Sequence, residues 1–237
     1  MSTNLMIVDE DEKVRGELRL AMEDEGYDVA EAQEAEDALS YLRSKGAPDV
    51  MIVELMLGDM DGFDCIREIR REHDVPIIVI SSRDDTHDVV AALEAGADDF
   101  VTKPFEIKEI SARMRALRRR ARLTAERDVP KEIVLDADPE APLVLTPDSG
   151  AIRRGDEEIH LTITEFRLLC ELAETPGRVL SRALLLERVW DDGFFGDERI
   201  VDVHIRRLRT KIERDPSDAR IVVTVRGLGY RVDLQQP

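Results

Sequence analysis

"DVMIVELMLGDMDG", residues 49–62, decides how the first half of this chain folds. Four apolar residues, Val50 to Val53, follow Pro48-Asp49 and stop on an acid, Glu54, before a Gly/Asp-rich stretch. A short apolar run bounded by turn residues reads as a strand buried on both faces. Such a strand belongs at the centre of a parallel sheet, and its carboxyl end is where chemistry collects in that architecture.

The flanking sequence repeats the theme. Strand-like runs occur at "LMIV" (5–8), "YDVAE" (27–31), "PIIVIS" (76–81) and "FVT" (100–102). Between them, apolar residues recur at helical spacing: Val14, Leu18, Met22; Ala35, Leu39, Leu42; Phe63, Ile66, Ile69; Val89, Ala92, Leu93; and Ile107, Ile110, Met114, Leu117. Strand and helix alternating five times predict an α/β unit, a doubly wound five-stranded parallel sheet. Residues 1–122 are assigned to it. "ARLTAERDVPKEIVLDADPEAP" has three prolines, many acids and no sustained period, so residues 123–142 are read as a linker between domains. Residues 143–237 read as a second, α+β domain. It has short strands at 143–145, 151–154 and 157–161, and a helix from Thr164 to about Glu174. A second helix is capped by Ser181, a third runs from about Asp197 to Glu213, and a terminal hairpin lies in "RIVVTVRGLGYRVDL".

At 237 residues the chain is long enough for two ordinary domains. The net charge of −18 is unevenly spread: residues 1–112 carry about −18, and Arg113 to Arg122 add six arginines without an acid. Arg199 to Arg231 hold nine Lys/Arg against four Asp/Glu. An acidic front and a basic patch near the end predict a division of labour. No apolar run approaches the ~20 residues of a membrane span, and the start shows no basic-then-apolar leader. Cys65 and Cys170 lack metal-ligand spacing and read as structural thiols of a reducing cytoplasm. A soluble, cytoplasmic protein without a membrane partner is expected.

The strand ends bring together Asp9-Glu10, Glu54, Ser81-Ser82 and Thr102-Lys103-Pro104. Three carboxylates, a hydroxyl and an ammonium at one rim suit a divalent cation and a phosphoryl group. Here the chain resembles a known family. "IVDED", "VELMLGDMDGF", "PIIVISSRDD" and "GADDFVTKPF" are similar to the receiver domain of two-component response regulators, and the whole chain is similar to the OmpR/PhoB family. The resemblance implies an acceptor at Glu54, phosphorylated by a histidine kinase. It implies Mg²⁺ at Asp9 and Glu10, phosphoryl contacts from Ser81 and Lys103, and an aromatic switch at Phe100.

Glu54 and Glu10 stand where that family has Asp, and Gly58 replaces a common Pro. Each longer side chain moves its carboxylate by about 1.5 Å. In-line transfer loses on the order of 10²-fold for an error of about 1 Å. Mg²⁺ tolerates little departure from octahedral ligands at about 2.0–2.1 Å. The expectation is therefore an atypical, phosphorylation-independent receiver that requires no cofactor. Two alternatives stand beside it: Glu54 itself holds the active arrangement by reaching Lys103, or Glu54 is still phosphorylated inefficiently.

The resemblance further implies a homodimer through Val90, Leu93, Asp98, Asp99, Glu109, Arg113 and Arg120. Val89 stands where a basic residue is usual. In the third C-terminal helix, Val201, Ile205, Leu208 and Ile212 form a buried stripe, and guanidinium groups line other faces. Such a helix fits the major groove of double-stranded DNA. With "TVRGLGYR" it resembles a winged helix-turn-helix, Arg226 at the wing tip meeting the minor groove. The family implies base contacts from Val203 and Arg207, and backbone contacts from Arg199, Arg206, Arg209 and Thr224. It also implies promoter half-sites in tandem and RNA polymerase contact by the loop at 191–198, with Phe194 and Phe195. His204 and Trp190 are expected in the core. Phosphate contacts by Arg199, Arg206, Arg207, Arg209 and Arg226 predict a log K–log salt slope of about −4.5.

An enzyme is the rival. "LMIVDEDEKV" superficially resembles the start of haloacid-dehalogenase phosphatases. That motif wants a small or β-branched residue where Lys13 stands, and it leaves the winged end unexplained. "GLG" lacks the third glycine and the following helix of a dinucleotide site. No enzymatic activity is expected.

Overall fold

A computed structural model describes residues 3–122, 132–190 and 198–236, with the side chains of 116 and 118–122 excepted. The chain divides into two compact units, Met1–Arg115 and Ala116–Pro237. The first alternates strictly: β1 (Thr3–Val8), α1 (Glu12–Asp24), β2 (Tyr27–Ala32), α2 (Ala35–Lys45), β3 (Val50–Val53), α3 (Gly62–Glu72), β4 (Ile77–Ser81), α4 (Thr86–Ala95), β5 (Asp99–Thr102) and α5 (Ile107–Arg122). The five strands lie parallel in the order β2-β1-β3-β4-β5. All four residues of β3 are buried, as a strand covered on both faces requires. The order reverses direction beside β1, the point at which open sheets of this kind bind ligands.

Local chemistry sets the helix starts next to that point. Asp11 caps α1 by accepting from the Lys13 and Val14 amides, and Asp61 caps α3 through the Phe63 amide. The α2 start is capped from outside. Glu34, its flanking residue, makes no side-chain cap, and Asp59 accepts from the Ala35 and Glu36 amides instead, each at 3.0 Å. Those bonds favour the charged carboxylate and outweigh the opposing effect of burial, so the Asp59 pKa lies below its ordinary value. Gly62 is needed because α3 begins against the end of β3. A Cβ there would sit 2.4 Å from Leu55 Cα and 2.6 Å from the Glu54 carbonyl oxygen.

The second unit contains a four-stranded antiparallel sheet of β6 (Ile133–Asp136), β7 (Leu143–Thr146), β8 (Ala151–Arg154) and β9 (Glu157–Glu158). Helices α6 (Ile163–Ala173), α7 (Arg182–Trp190) and α8 (Arg199–Ile212) follow, then the hairpin β10 (Val222–Val225) and β11 (Gly229–Val232). Strand β6 corrects the linker expected over 123–142. Ile133 and Leu135 point into the core while Val134 is exposed, and the strand is fixed by β7 on one side and by Gln235 on the other. Residues 123–131 of that linker lie outside the described residues. Gly229, at φ +146°, brings the hairpin onto the residues before α7; a Cβ there would lie 2.0 Å from the Leu180 carbonyl oxygen.

Candidate phosphoryl-site rim and nucleic-acid interface

In the first unit, β1 and β3 end level, Val8 beside Val53, so the next residues, Asp9 and Glu54, leave the sheet together. The Glu54 amide donates to the Val8 carbonyl at 2.8 Å. On the other side Ser81 pairs with Thr102, and the Lys103 amide donates to the Ser81 carbonyl at 2.8 Å. The Lys103 side chain then reaches back to the acids. Its Nζ lies 2.7 Å from Asp9 Oδ2 and 2.6 Å from Glu54 Oε2. Both carboxylates are buried, Glu54 at 4% exposure.

The remaining oxygens are also engaged. Glu54 Oε1 accepts from the Leu55 and Met56 amides at 2.7 and 3.1 Å, and Asp9 Oδ1 accepts from the Asp11 amide at 2.9 Å. Burial pushes the Lys103 pKa down, but the hydrogen bonds and charges of Asp9 and Glu54 outweigh it, and the ammonium is held above its ordinary range. Arg15, buried under the β1–α1 turn, donates through Nη1 to the Asp9 and Glu10 carbonyls at 2.6 and 3.1 Å. The Glu10 residue itself is exposed, and a methyl group at Gly58 would touch its Oε2 at 3.5 Å. Ser81 is fully buried, its Oγ accepting from the Arg83 amide at 3.4 Å, and Phe100 is buried.

A divalent cation needs several oxygens converging on one point. Here an ammonium already sits between the two buried carboxylates, and their other oxygens face backbone amides. Among the described residues, no group of three His, Cys, Asp or Glu side chains could hold a metal ion. As arranged, these residues do not fit Mg²⁺.

The surface over α4, β5 and α5 differs from its expected form at two positions. Leu93 is 1% exposed and packs in the core. Asp98 is fully buried, accepting from Arg70 Nη2 at 2.9 Å and from the Ile77 amide at 3.0 Å. Neither is surface available to a second chain. Asp99, Glu109 and Arg113 do come together, but within one chain: Arg113 Nη1 lies 2.9 Å from both Asp99 oxygens and Nη2 lies 2.7 Å from Glu109. Burial works against the Arg113 charge, and its two acids more than offset that. Val90 is half-buried, and the Arg120 side chain lies outside the described residues.

In the second unit α8 buries Ile200, Val201, Val203, His204, Ile205, Leu208 and Ile212. Val203 therefore belongs to the core side of the helix, a correction to its expected base contact. It follows Val201 by two residues, and the buried arc is wide enough to take both. Arg207 is corrected as well. Its Nη2 lies 3.1 Å from Oε1 of Glu165, a fully buried carboxylate on α6, and Lys211 Nζ lies 2.8 Å from Oε2. Glu165 also closes the first turn of α6, accepting from the Thr162 amide while its own amide donates to Thr162 Oγ1. Burial would raise its pKa; the charges of Arg207 and Lys211 win, and the pKa lies below the usual glutamate value.

Arg209 turns to the hairpin, donating to the Val222 carbonyl at 2.8 Å and to Thr224 Oγ1 at 2.7 Å, so these two expected DNA contacts hold each other. Arg199, Arg206, Thr224 and Arg226 are exposed. His204 and Trp190 are buried with their rings 5.3 Å apart, in agreement with their core assignment. Phe194 and Phe195 lie outside the described residues.

One residue of this face, Asp202, carries contacts that its place on the helix did not predict. Asp202 lies on the α8 stripe of Arg199 and Arg206, at i, i+3 and i+7, with its side chain 42% exposed. Its Oδ1 accepts from Arg182 Nε and from Tyr230 Oη, both at 2.6 Å. Burial first, then Asp202, pushes the Tyr230 hydroxyl up to about 12, so it stays a donor at neutral pH. The i, i+3, i+7 spacing was a usable signal, but an acid on a basic face is easily read as incidental.

A parallel (βα)₅ unit with acids and a lysine at one rim, followed by a three-helix unit with a terminal hairpin, defines a response-regulator architecture. Residues 5–115 match the response regulator receiver domain, and residues 156–232 match the C-terminal domain of transcriptional regulatory proteins. The chain is 40% identical over 233 residues to transcriptional regulatory protein AfsQ1 of Streptomyces coelicolor, covering 98% of this chain and 99% of that one. It is 40% identical over 231 residues to DNA-binding response regulator MtrA of Mycolicibacterium smegmatis, covering 98% and 97%. Among solved structures it is similar to a cysteine-to-serine mutant of RitR, with TM-score 0.77, 26% identity and coverage of 98% and 99%. DrrB of Thermotoga maritima, described as an OmpR/PhoB homologue, matches with TM-score 0.51, 29% identity and coverage of 98% and 100%. The chain belongs to the OmpR/PhoB family of two-component response regulators. Among the described residues no helix is long and apolar enough to cross a membrane.

Proposed function

We propose that this chain is a cytoplasmic, sequence-specific regulator of transcription that binds promoter DNA through α8 and the β10–β11 wing, under a receiver that works without phosphorylation. The observation that carries the second part is the Lys103 ammonium seated between Glu54 and Asp9 at 2.6 and 2.7 Å. It occupies the position where a metal-bound phosphoryl group would need open oxygens, and a glutamate arm is long enough to close that gap. The DNA-binding part is supported by the exposed arginines of α8 and the wing, and by the DNA-binding role named for the MtrA relative.

Dimerisation through α4, β5 and α5 fits this reading, with Val90 and the Asp99–Arg113–Glu109 group as surface. The α7–α8 connection is the candidate contact for RNA polymerase, tandem half-sites are the expected DNA targets, and turnover of phosphate esters is not expected. The test measures mass, oligomeric state and DNA binding of the full chain with and without acetyl phosphate and Mg²⁺. The expected result is no change in any of the three. A stable, Mg²⁺-dependent gain of one phosphate on Glu54 would show a conventional kinase-driven regulator instead.

The same contact favours a second reading, in which Glu54 holds Lys103 as a phosphoryl oxygen would and keeps the receiver active. Substitution E54A separates the two. Loss of dimer and of DNA affinity supports a self-activating glutamate; unchanged values support an uncoupled receiver.

A further inference from the structure

We infer that Tyr230 is the positioning residue of the wing: it sets the angle at which the β10–β11 hairpin leaves α8, so that the wing tip meets the minor groove in step with α8 in the major groove. The inference rests on the DNA-binding reading above and names the side chain that makes its two halves act together.

Among the described residues, backbone bonds hold the base of the hairpin. Along β11, Tyr230 exchanges two bonds with Leu180, at 2.8 and 3.0 Å, and the Val232 carbonyl accepts from the Gly177 amide at 2.8 Å. On β10 the Ile221 and Val222 amides donate to the Glu213 carboxylate, at 3.0 and 2.8 Å. Beyond those points the hairpin is a ribbon of two strands. Such ribbons twist more than strands inside wider sheets, over a range of roughly 25°. Arg226 follows Thr224 by two residues, about 7 Å along the strand. A change of roughly 25° there would shift the tip by about 3 Å, half of the ~6 Å width of the minor groove.

Tyr230 removes that freedom. It pairs with Thr224 across the hairpin, and side chains from both helices close on this pair. Arg209 of α8 donates to Thr224 Oγ1 at 2.7 Å, and its guanidinium carbon lies 5.6 Å from the Tyr230 ring centre. The guanidinium carbon of Arg182, on α7, lies 4.9 Å from the same centre, and its Nη2 donates to the hydroxyl at 3.2 Å. The hydroxyl in turn donates to Asp202 Oδ1 on α8 at 2.6 Å. Two cations over the ring and an acid at its end define one orientation of the side chain, and the outer hairpin takes its twist from it. Tyr230 is buried, so it reads no base itself; it acts through Arg226, which is exposed at the tip.

The test measures affinity and bound-sequence selection from a randomised duplex library for the full chain, for Y230F, for R226A and for the double variant. Y230F keeps the ring and removes the bonds to Asp202 and Arg182. Emission of the single tryptophan, Trp190, checks that each is folded. Y230F is expected to weaken binding about tenfold, the scale of one hydrogen bond to a charged group. It should also lose the preference for A·T pairs under the wing, the distinction that the minor groove offers, and keep every preference under α8. R226A should lose the same preference. The double variant should bind no more weakly than the weaker single one, because both residues act through one contact. R209K keeps its charge but loses the fork that holds Val222 and Thr224; it should repeat the Y230F pattern and stands in for Y230F if that variant unfolds. A purely structural role would lower the denaturation midpoint and weaken binding evenly, with the A·T preference retained. That outcome, losses that multiply in the double variant, or a wild type without an A·T preference overturns the inference and leaves the DNA-binding reading intact. Failure of wild type to bind any duplex overturns both.

Discussion

The two halves of this molecule use buried carboxylates in opposite ways. In the receiver, Asp9 and Glu54 stand at the carboxyl-end rim of the sheet and hold the Lys103 ammonium between them. In the C-terminal unit, Glu165 is buried away from the reading surface, and the cations it holds, Arg207 and Lys211, are fixed to the far side of α8. In the reading proposed above, the first arrangement closes a site. The second builds one, by choosing which face of a helix with many arginines turns outward. The physics is the same, a desolvated acid that must find a cation. The outcome depends on whether the acid or the cation was the group with work to do.

The largest effect that sharpens this contrast belongs to Glu165. Replacing it with Gln leaves Arg207 and Lys211 against a neutral buried group and removes a charged partner of the α6 cap. Breaking a buried pair costs about 3–5 kcal/mol, and the partial exposure of Lys211 puts the expected loss near the lower end. Trp190 is buried in the same unit and is the only tryptophan of the chain, so its emission follows this loss during denaturation. The folded pKa of Glu165 lies below its ordinary 4.5. The stabilisation is therefore fully present above about pH 4.5 and disappears as pH falls through the folded value. E165Q should flatten that acid limb. An unchanged denaturation midpoint would mean that α8 is positioned by its apolar stripe alone.

Next in size is the receiver rim. Glu54→Asp shortens the arm by one carbon–carbon bond and withdraws the carboxylate from Lys103. Modification by acetyl phosphate is expected to rise at least ~100-fold over wild type, the scale on which an ångström matters in transfer chemistry. Equal rates for both proteins would break the contrast at its receiver end, because the rim would then be open already.

How far these features were legible depends on where the energy lies. The (βα)₅ unit could be read because β3 is buried on both faces and its neighbours alternate with helices of clear period. The meeting of Asp9, Glu54, Ser81 and Lys103 followed from strand ends alone. Strand β6 could not be read, since "IVLD" sits among acids and prolines and is stabilised by Gln235, at the far end of the chain. Asp98 was misplaced for a similar reason. An acid at a strand end looks solvated until a buried arginine, Arg70 on α3, is known to face it. Val203 and Arg207 failed because a helical wheel assigns faces by angle. The carboxylate of Glu165 redefines which arginine is outside, and it lies on another helix.

A smaller effect tests whether the acceptor loop keeps its shape without the proline common to the family. Asp59 supplies the side-chain cap of α2 and so fastens that loop to a neighbouring helix. Asp59→Ala should cost the receiver about 1 kcal/mol, as loss of a helix cap does, read as a lower denaturation midpoint by circular dichroism. No change in midpoint would place the rigidity of the loop in Gly62 and α3 instead.

The smallest effect separates two adjacent arginines. If Arg199, Arg206 and Arg226 alone meet phosphates, the salt slope of DNA binding falls from about −4.5 to about −2.7. Arg206→Ala should then flatten the slope by a further ~0.9, a few-fold change in affinity over an ordinary salt range. Arg207→Ala should leave the slope within error and lower stability instead, because that guanidinium faces Glu165 rather than solvent. Neighbours in sequence would thus differ in kind, one acting on DNA and one on the fold. A slope that falls equally for both would mean that Glu165 releases Arg207 when DNA arrives, and that the buried acid serves as a store of charge for the groove.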